Sequence, residues 1–202
     1  VGRDGRAARA SDLWPGGDGG VDAYDERWPG DRWMAPFDGG LFFAGTTSDT
    51  GSELYVVRGG APTLVADLHP DGGVGVFPIG LTPTRERLYF VATNPFDGGG
   101  EGIGYVDAGG NVVLLDPEVP SDPPMSFRAS WVTGMYALGE QLVAFDEVEG
   151  DGDVRYDLLV VDPGAGAVRR VVLPTDDGGI ACATVVAGRL VLGELLGDPD
   201  PT

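Results

Sequence analysis

A short apolar run recurs four times along the chain at nearly constant spacing. It begins at Leu41 in GGLFFAG, Leu88 in RERLYFVA, Leu142 in GEQLVAF and Leu190 in AGRLVLGEL, in steps of 47, 54 and 48 residues. Each run follows a short turn, and before that turn lies another apolar segment: RWMAPF, VFPIGL, SWVTGMYAL and ACATVVA. A period of this length marks a chain built from copies of one supersecondary unit, none of which can bury its apolar faces alone.

Two more segments follow each of the first three runs. They are ELYVV, GIGYV and YDLLVV, then TLVADL, NVVLLD and AVRRVVL, with RGGAP, DAGGN and DPGAGA between them. The segments are short and rich in β-branched and aromatic residues, and no long 3.6-residue periodicity interrupts them. The Gly- and Pro-rich joints tolerate the positive φ of tight hairpins. The unit is therefore four antiparallel strands in a meander, and the chain reads as all-β. The expected architecture is a β-propeller-like array of four-stranded blades, about 3.5 to 4 units of roughly 50 residues. A β-sandwich with repeated hairpins is the alternative.

The repeat domain spans 33–202, with units starting near 33, 76, 129 and 181, behind an N-terminal segment 1–32. The fourth unit holds only its first two strands before LLGDPDPT. The N-terminal segment offers two short candidates, SDLW (Ser11 to Trp14) and DAYDERW (Asp22 to Trp28), to complete that last blade. On this reading Ser11 to Trp33 packs against Ile180 to Leu196. Otherwise the chain is part of a longer ring whose open faces need a partner.

Period-2 alternation nominates the core: Leu41, Phe43, Leu54, Val56, Leu64, Leu88, Phe90, Val106, Leu142, Leu159, Val161, Val171, Leu190 and Leu192. Tyr55, Tyr89, Phe90, Tyr105, Phe145 and Tyr156 are placed to fill space between blades. Trp14, Trp28 and Trp33 cluster where an end segment must be anchored; with Trp131, they have ligand stacking as the other reading. Cys182, in GIACATVV, reads as a buried, inert thiol.

The charge balance removes several functions. Among 202 residues, 13 Lys+Arg face 32 Asp+Glu, a net charge of -19, and every cation is Arg. A nucleic-acid or anionic-lipid surface requires a basic face, which this composition does not supply. No apolar run approaches the ~20 residues of a membrane-spanning helix. One Cys excludes an intrachain disulfide, and the one His, His69 in ADLHPDGG, reads as a turn residue. No G-x-S-x-G, H-E-x-x-H or P-loop occurs, so no catalytic residue is nominated. High acidity, the absence of Lys, two Asn and abundant Gly and Asp suit an extracellular, periplasmic or cell-surface domain. The chain begins with Val, as a trimmed or processed chain does, and shows no signal peptide.

One acidic pattern follows the repeat. In the loops TTSDTGSE, TNPFDGGGEG and EVEGDGDVRYD, acids four residues apart recur: Asp49 with Glu53, Asp97 with Glu101, and Glu149 with Asp153, Asp151 lying between the last two. The second pair lies 48 residues after the first and the third 52 after the second. Glycines between the acids let the backbone fold back around a hard cation, which nominates Ca²⁺. The competing reading is that exposed acids keep hairpins soluble and sheet edges unpaired.

The first unit, SELYVVRGGAPTLVADLHPDGGVG followed by LTPTRERLYFVATN, resembles the ELWxxDGT repeat of large bacterial surface proteins. Glu53, Leu54 and Tyr55 stand at the E-L-W positions; Thr63, Leu64, Val65, Asp67, Leu68 and Pro70 match the tail. Leu81, Thr82, Leu88, Tyr89 and Phe90 match the strand after it. In the second unit the likeness is carried by Glu101, Tyr105 and Val106. Tyr replaces the Trp, and Arg58-Gly59-Gly60 replaces the D-G-T turn. The resemblance implies a propeller-like fold without an assigned activity. The function expected is a non-catalytic binding or scaffold module with a protein partner or a larger assembly. The alternative is an enzyme of lyase or glycosidase type using a carboxylate pair in a central channel.

Overall fold

The apolar segments form strands in the order the repeat requires. A computed structural model describes residues 13, 33–68, 75–93, 101–115, 130–149, 154–162, 164, 167–173 and 180–194. The first sheet comprises β1 (Met34–Phe37), β2 (Gly40–Thr47), β3 (Gly51–Val57) and β4 (Thr63–Ala66). The second comprises β5 (Ile79–Pro83), β6 (Arg87–Thr93), β7 (Glu101–Asp107) and β8 (Val112–Leu115). The third comprises β9 (Ser130–Leu138), β10 (Gln141–Glu149), β11 (Val154–Asp162) and β12 (Ala167–Val172), and a last hairpin joins β13 (Ile180–Val186) to β14 (Arg189–Glu194). Each four-stranded sheet is a meander with strands hydrogen-bonded in chain order. Every pairing is antiparallel. Among the described residues every regular element is a strand, and no helix is long and apolar enough to cross a membrane.

The first hairpins of units one and four turn on residues with positive φ. Asp38 and Gly39 lie at 42° and 69°, and Ala187 and Gly188 at 51° and 73°. Two consecutive positive φ values match the right-handed twist of the flanking strands, which is why short turns suffice there.

Register confirms the repeat residue by residue. Leu41 faces Val57, Leu88 faces Val106, and Leu142 faces Val161 across the second and third strands. In the second sheet Leu88, Tyr89, Phe90 and Val91 are all fully buried, so alternation there cannot mean inside and outside. It means two different interiors. Leu88, Phe90, Ala92 and Val106 join Ala35, Phe37, Phe42, Leu54 and Val56 of the first sheet. Tyr89, Val91, Ile103 and Leu115 join Val132, Met135, Leu142, Ala144, Leu159 and Val161 of the third. The second sheet is thus a middle layer covered on both faces, the role that near-continuous apolar strands fill.

Successive sheets also meet through their first strands, β1 against β5, β5 against β9 and β9 against β13. Trp33, just ahead of β1, packs on the cluster between the second and third sheets.

Burial departs from expectation at the ends of the array. Leu41 and Leu192 are exposed rather than core, and Cys182 is exposed rather than buried. Leu64, Val171 and Leu190 are half-buried. Leu41 points away from the second sheet, while Leu192 and Cys182 belong to a layer of which, among the described residues, two strands are present. Of the segment expected to pack on the fourth unit, Leu13 and Trp33 are described; Trp14, Trp28 and both strand candidates as units lie outside the described residues.

Candidate functional site

The acids nominated for Ca²⁺ take different environments. Asp49 is exposed in the turn after β2, where its Oδ1 accepts the Ser48 hydroxyl at 2.9 Å. Glu53 is fully buried in β3, and its Oε2 accepts the Leu68 N–H at 3.3 Å. Spacing of four in a loop does not survive as proximity when one member enters a strand, because alternation then fixes its direction. Asp97, Asp151 and Asp153 lie outside the described residues, as does His69; Glu101 and Glu149 sit at the ends of β7 and β10, with side chains outside the description. Among the described residues no group of three or more His, Cys, Asp or Glu side chains converges.

The structure assembles a different acidic pair. Asp146 of β10 and Asp157 of β11 are cross-strand partners, and both are fully buried. Arg170 of β12 reaches both: its Nη2 lies 2.7 Å from Asp146 Oδ2 and its Nη1 2.9 Å from Asp157 Oδ2. A planar guanidinium with donors in a fixed fork suits this bridge, where a lysine ammonium would supply one point charge. The same place in the repeat is Gly45 opposite Glu53 in the first unit and Ala92 opposite Gly102 in the second. A buried acid therefore recurs at the third-strand position in units one and three. Its signal in the sequence was an acid inside an apolar strand, LVAFD and YDLLVV, with two arginines inside AVRRVV.

A carboxylate pair that works on a sugar needs room between its members for substrate or water. Here the guanidinium occupies that room, so the arrangement joins three strands of one sheet. It is a clamp.

No protein-family model matches the chain, and no curated protein or solved structure matches it.

A second polar cluster lies on the face of the second sheet toward the third. The Arg87 guanidinium stacks 4.4 Å from the centre of the Tyr105 ring, and the Tyr89 ring meets Tyr105 edge-on at 5.8 Å. Burial raises the pKa of the Tyr89 phenol, and Arg87 partly offsets this. Nearby, the Glu86 N–H donates to Glu140 Oε2 at 3.1 Å, tying the first hairpins of units two and three together.

Exposed apolar side chains lie on several elements, including Met34 on β1, Leu41 on β2 and Phe77 ahead of β5. Leu114 (50% exposed) lies on β8 and Val172 (60%) on β12, the outer strands of their sheets, while Val186 (56%) and Val191 (49%) lie on the last hairpin. Edge strands in isolated domains are usually blunted by charge, Lys above all, and this chain contains no Lys.

Proposed function

We propose that the chain is a non-catalytic binding or scaffold module whose sheets are arranged as blades of a propeller-like ring. Convergence at the first strands supports the ring. In a straight stack, sheets lie about 10 Å apart face to face, and the second sheet would stand between a residue leading into β1 and the cluster on its far side. Trp33 reaches that cluster, as a residue near a common axis does. The likeness of the first unit to the ELWxxDGT repeat agrees with this arrangement.

The binding role rests on one observation: apolar side chains exposed on outer strands of an otherwise acidic chain, Leu114 on β8 and Val172 on β12. Exposed apolar patches at a sheet edge mark partner surfaces, and an edge strand is ready to pair with another chain. The module then works outside the cytoplasm or as a subunit of a larger assembly, with a protein as its partner. The test compares the chain with its Leu114→Asp, Val172→Asp double variant in extract of the source organism, by quantitative cross-linking and mass spectrometry. A stoichiometric partner cross-linked to the parent and lost from a variant of unchanged circular dichroism supports the reading. Identical cross-links in both place the partner elsewhere and remove it.

A further inference from the structure

The two junctions between four-stranded sheets are built alike. In the first, Phe37 and Phe42 of the first sheet share a cluster with Leu81 and Leu88 of the second, and all four are buried. Phe37 and Phe42 face the following sheet, while Leu81 and Leu88 face the preceding one. The second junction repeats this, with Tyr89 at the place of Phe42 and Leu142 at the place of Leu88, each counted from the start of its apolar run.

The first sheet and the last hairpin carry the same two sets uncovered. Leu41 holds the place of Leu88, and Met34, which pairs with Phe43, holds that of Leu81. They are 40% and 51% exposed. On the last hairpin Val191 holds the place of Phe42. Val186 faces Arg189 as Phe37 faces Gly40, and so holds the place of Phe37. Both valines are exposed as well. Cys182, also exposed, shares their face, two residues before Thr184, the partner of Val191.

The extent of the two surfaces agrees. Phe43 and Tyr55 of the first sheet are buried, so the open part of that face is a corner over β1 and the start of β2. A two-stranded hairpin covers a corner of that width. Each exposed side chain forgoes the burial that stabilises its counterpart inside the array, and what buries that counterpart is the complementary face of another unit. The last hairpin holds the face that the first sheet lacks, and the first sheet the face that the hairpin lacks.

We infer that the last hairpin of one copy packs on the first sheet of a second copy, Val186 and Val191 against Met34 and Leu41, and that the exchange is reciprocal. The contact is head-to-tail and closes on the second copy. Four sheets from each copy make eight, within the range of about four to eight blades that propeller rings hold. This rests on the ring reading above.

Sedimentation equilibrium and small-angle scattering on the full chain test it, at physiological salt, where repulsion between copies of charge -19 is screened. The parent is expected to pass from one copy to two as concentration rises, with Cys182 losing reactivity toward a thiol reagent in step. Val191→Asp and Leu41→Asp, each on an exposed side chain, should weaken pairing about tenfold or more and leave circular dichroism unchanged. An equimolar mixture of the two variants should pair better than either alone, because each supplies the half that the other lacks. A parent that stays single at every concentration overturns the inference, and so does growth past two copies. A pair that Val191→Asp breaks and Leu41→Asp spares joins like faces and overturns it too. Scattering keeps the two levels apart: a compact single chain with Cys182 unreactive closes the ring on itself and removes only the second copy, whereas an elongated single chain removes the ring as well.

Discussion

Asp146 and Asp157 face each other across β10 and β11, both fully buried, and one guanidinium, that of Arg170, contacts both. Like charges directly opposite in a sheet repel, and burial raises the cost of each. Arg170 reverses the sign of the interaction and, because it comes from β12, ties that strand to the two before it.

Removing the guanidinium is therefore expected to cost more than removing an equal apolar volume. Arg170→Ala should destabilise by about 3–5 kcal/mol, the usual result of taking one partner from a buried ion pair. Arg170→Lys recovers only part, since one ammonium cannot match both carboxylates. Urea unfolding gives the values, and a loss below about 1 kcal/mol for Arg170→Ala would show the triad to be solvated. The triple replacement Asp146→Val, Asp157→Val, Arg170→Leu should come within about 1–2 kcal/mol of the parent or exceed it, because an apolar trio carries no desolvation cost.

Tyr89 sets a direction for alkaline stability. Burial raises its phenol pKa in the folded chain, so the folded state holds the proton to higher pH than the unfolded state. Its contribution is full below the ordinary phenol value of about 10 and is lost as pH rises through the folded pKa. Tyr156 is shifted the same way, by burial first and then by Glu147, so both add to the loss. Urea midpoints at pH 9 and 11 should fall less for Tyr89→Phe than for the parent. An identical drop in the two chains would assign the alkaline loss to other groups.

The doubly covered second sheet should answer differently to truncation from the outer strands. Phe90→Ala removes a fully buried ring and is expected to cost about 3–5 kcal/mol. Val172→Ala, on an exposed side chain of β12, should stay within about 0.5 kcal/mol. Comparable losses at both positions would mean that Val172 is covered in solution, for instance by a partner copy.

How much of this was legible depended on which neighbours a residue needs. Strand order and hairpin positions follow from local period and turn chemistry, so the four-strand meander was readable from the apolar runs. Burial of Leu88, Phe90 and Val106 was readable too, because an interior unit has a layer on each side. Leu41, Leu192 and Cys182 carry the same local pattern but occupy end layers, and no local signal distinguishes an end face from a junction. Glu53 shows the opposite failure. Counted as a loop acid it was grouped with Asp49, yet it shares a strand face with Tyr55 two residues on, and that face is buried. Asp146 and Asp157 were hidden for the same reason: among 32 acids, only cross-strand register selects the two that meet Arg170.

The last hairpin offers a test of the backbone reading. Ala187 lies at φ 51° in the turn between β13 and β14, where Gly188 follows at 73°. A Cβ at positive φ is crowded by the neighbouring carbonyl, at a cost of about 1–2 kcal/mol. Asp38 holds the equivalent position in the first unit at 42°, and Asp tolerates this region better than Ala because its short side chain bonds locally. Glycine removes the crowding but loses more freedom on folding, by about 0.5–1 kcal/mol. The net expectation for Ala187→Gly is a gain of about 0.5–1 kcal/mol, with a smaller gain for Ala187→Asn. The gain appears only if the last hairpin unfolds together with the rest of the array. Thermal unfolding should therefore be followed by two probes, far-ultraviolet circular dichroism for the sheets and hydrogen exchange of the β13 and β14 amides for the hairpin. If Ala187→Gly slows that exchange but leaves the circular-dichroism midpoint where it was, the hairpin opens independently of the first three sheets.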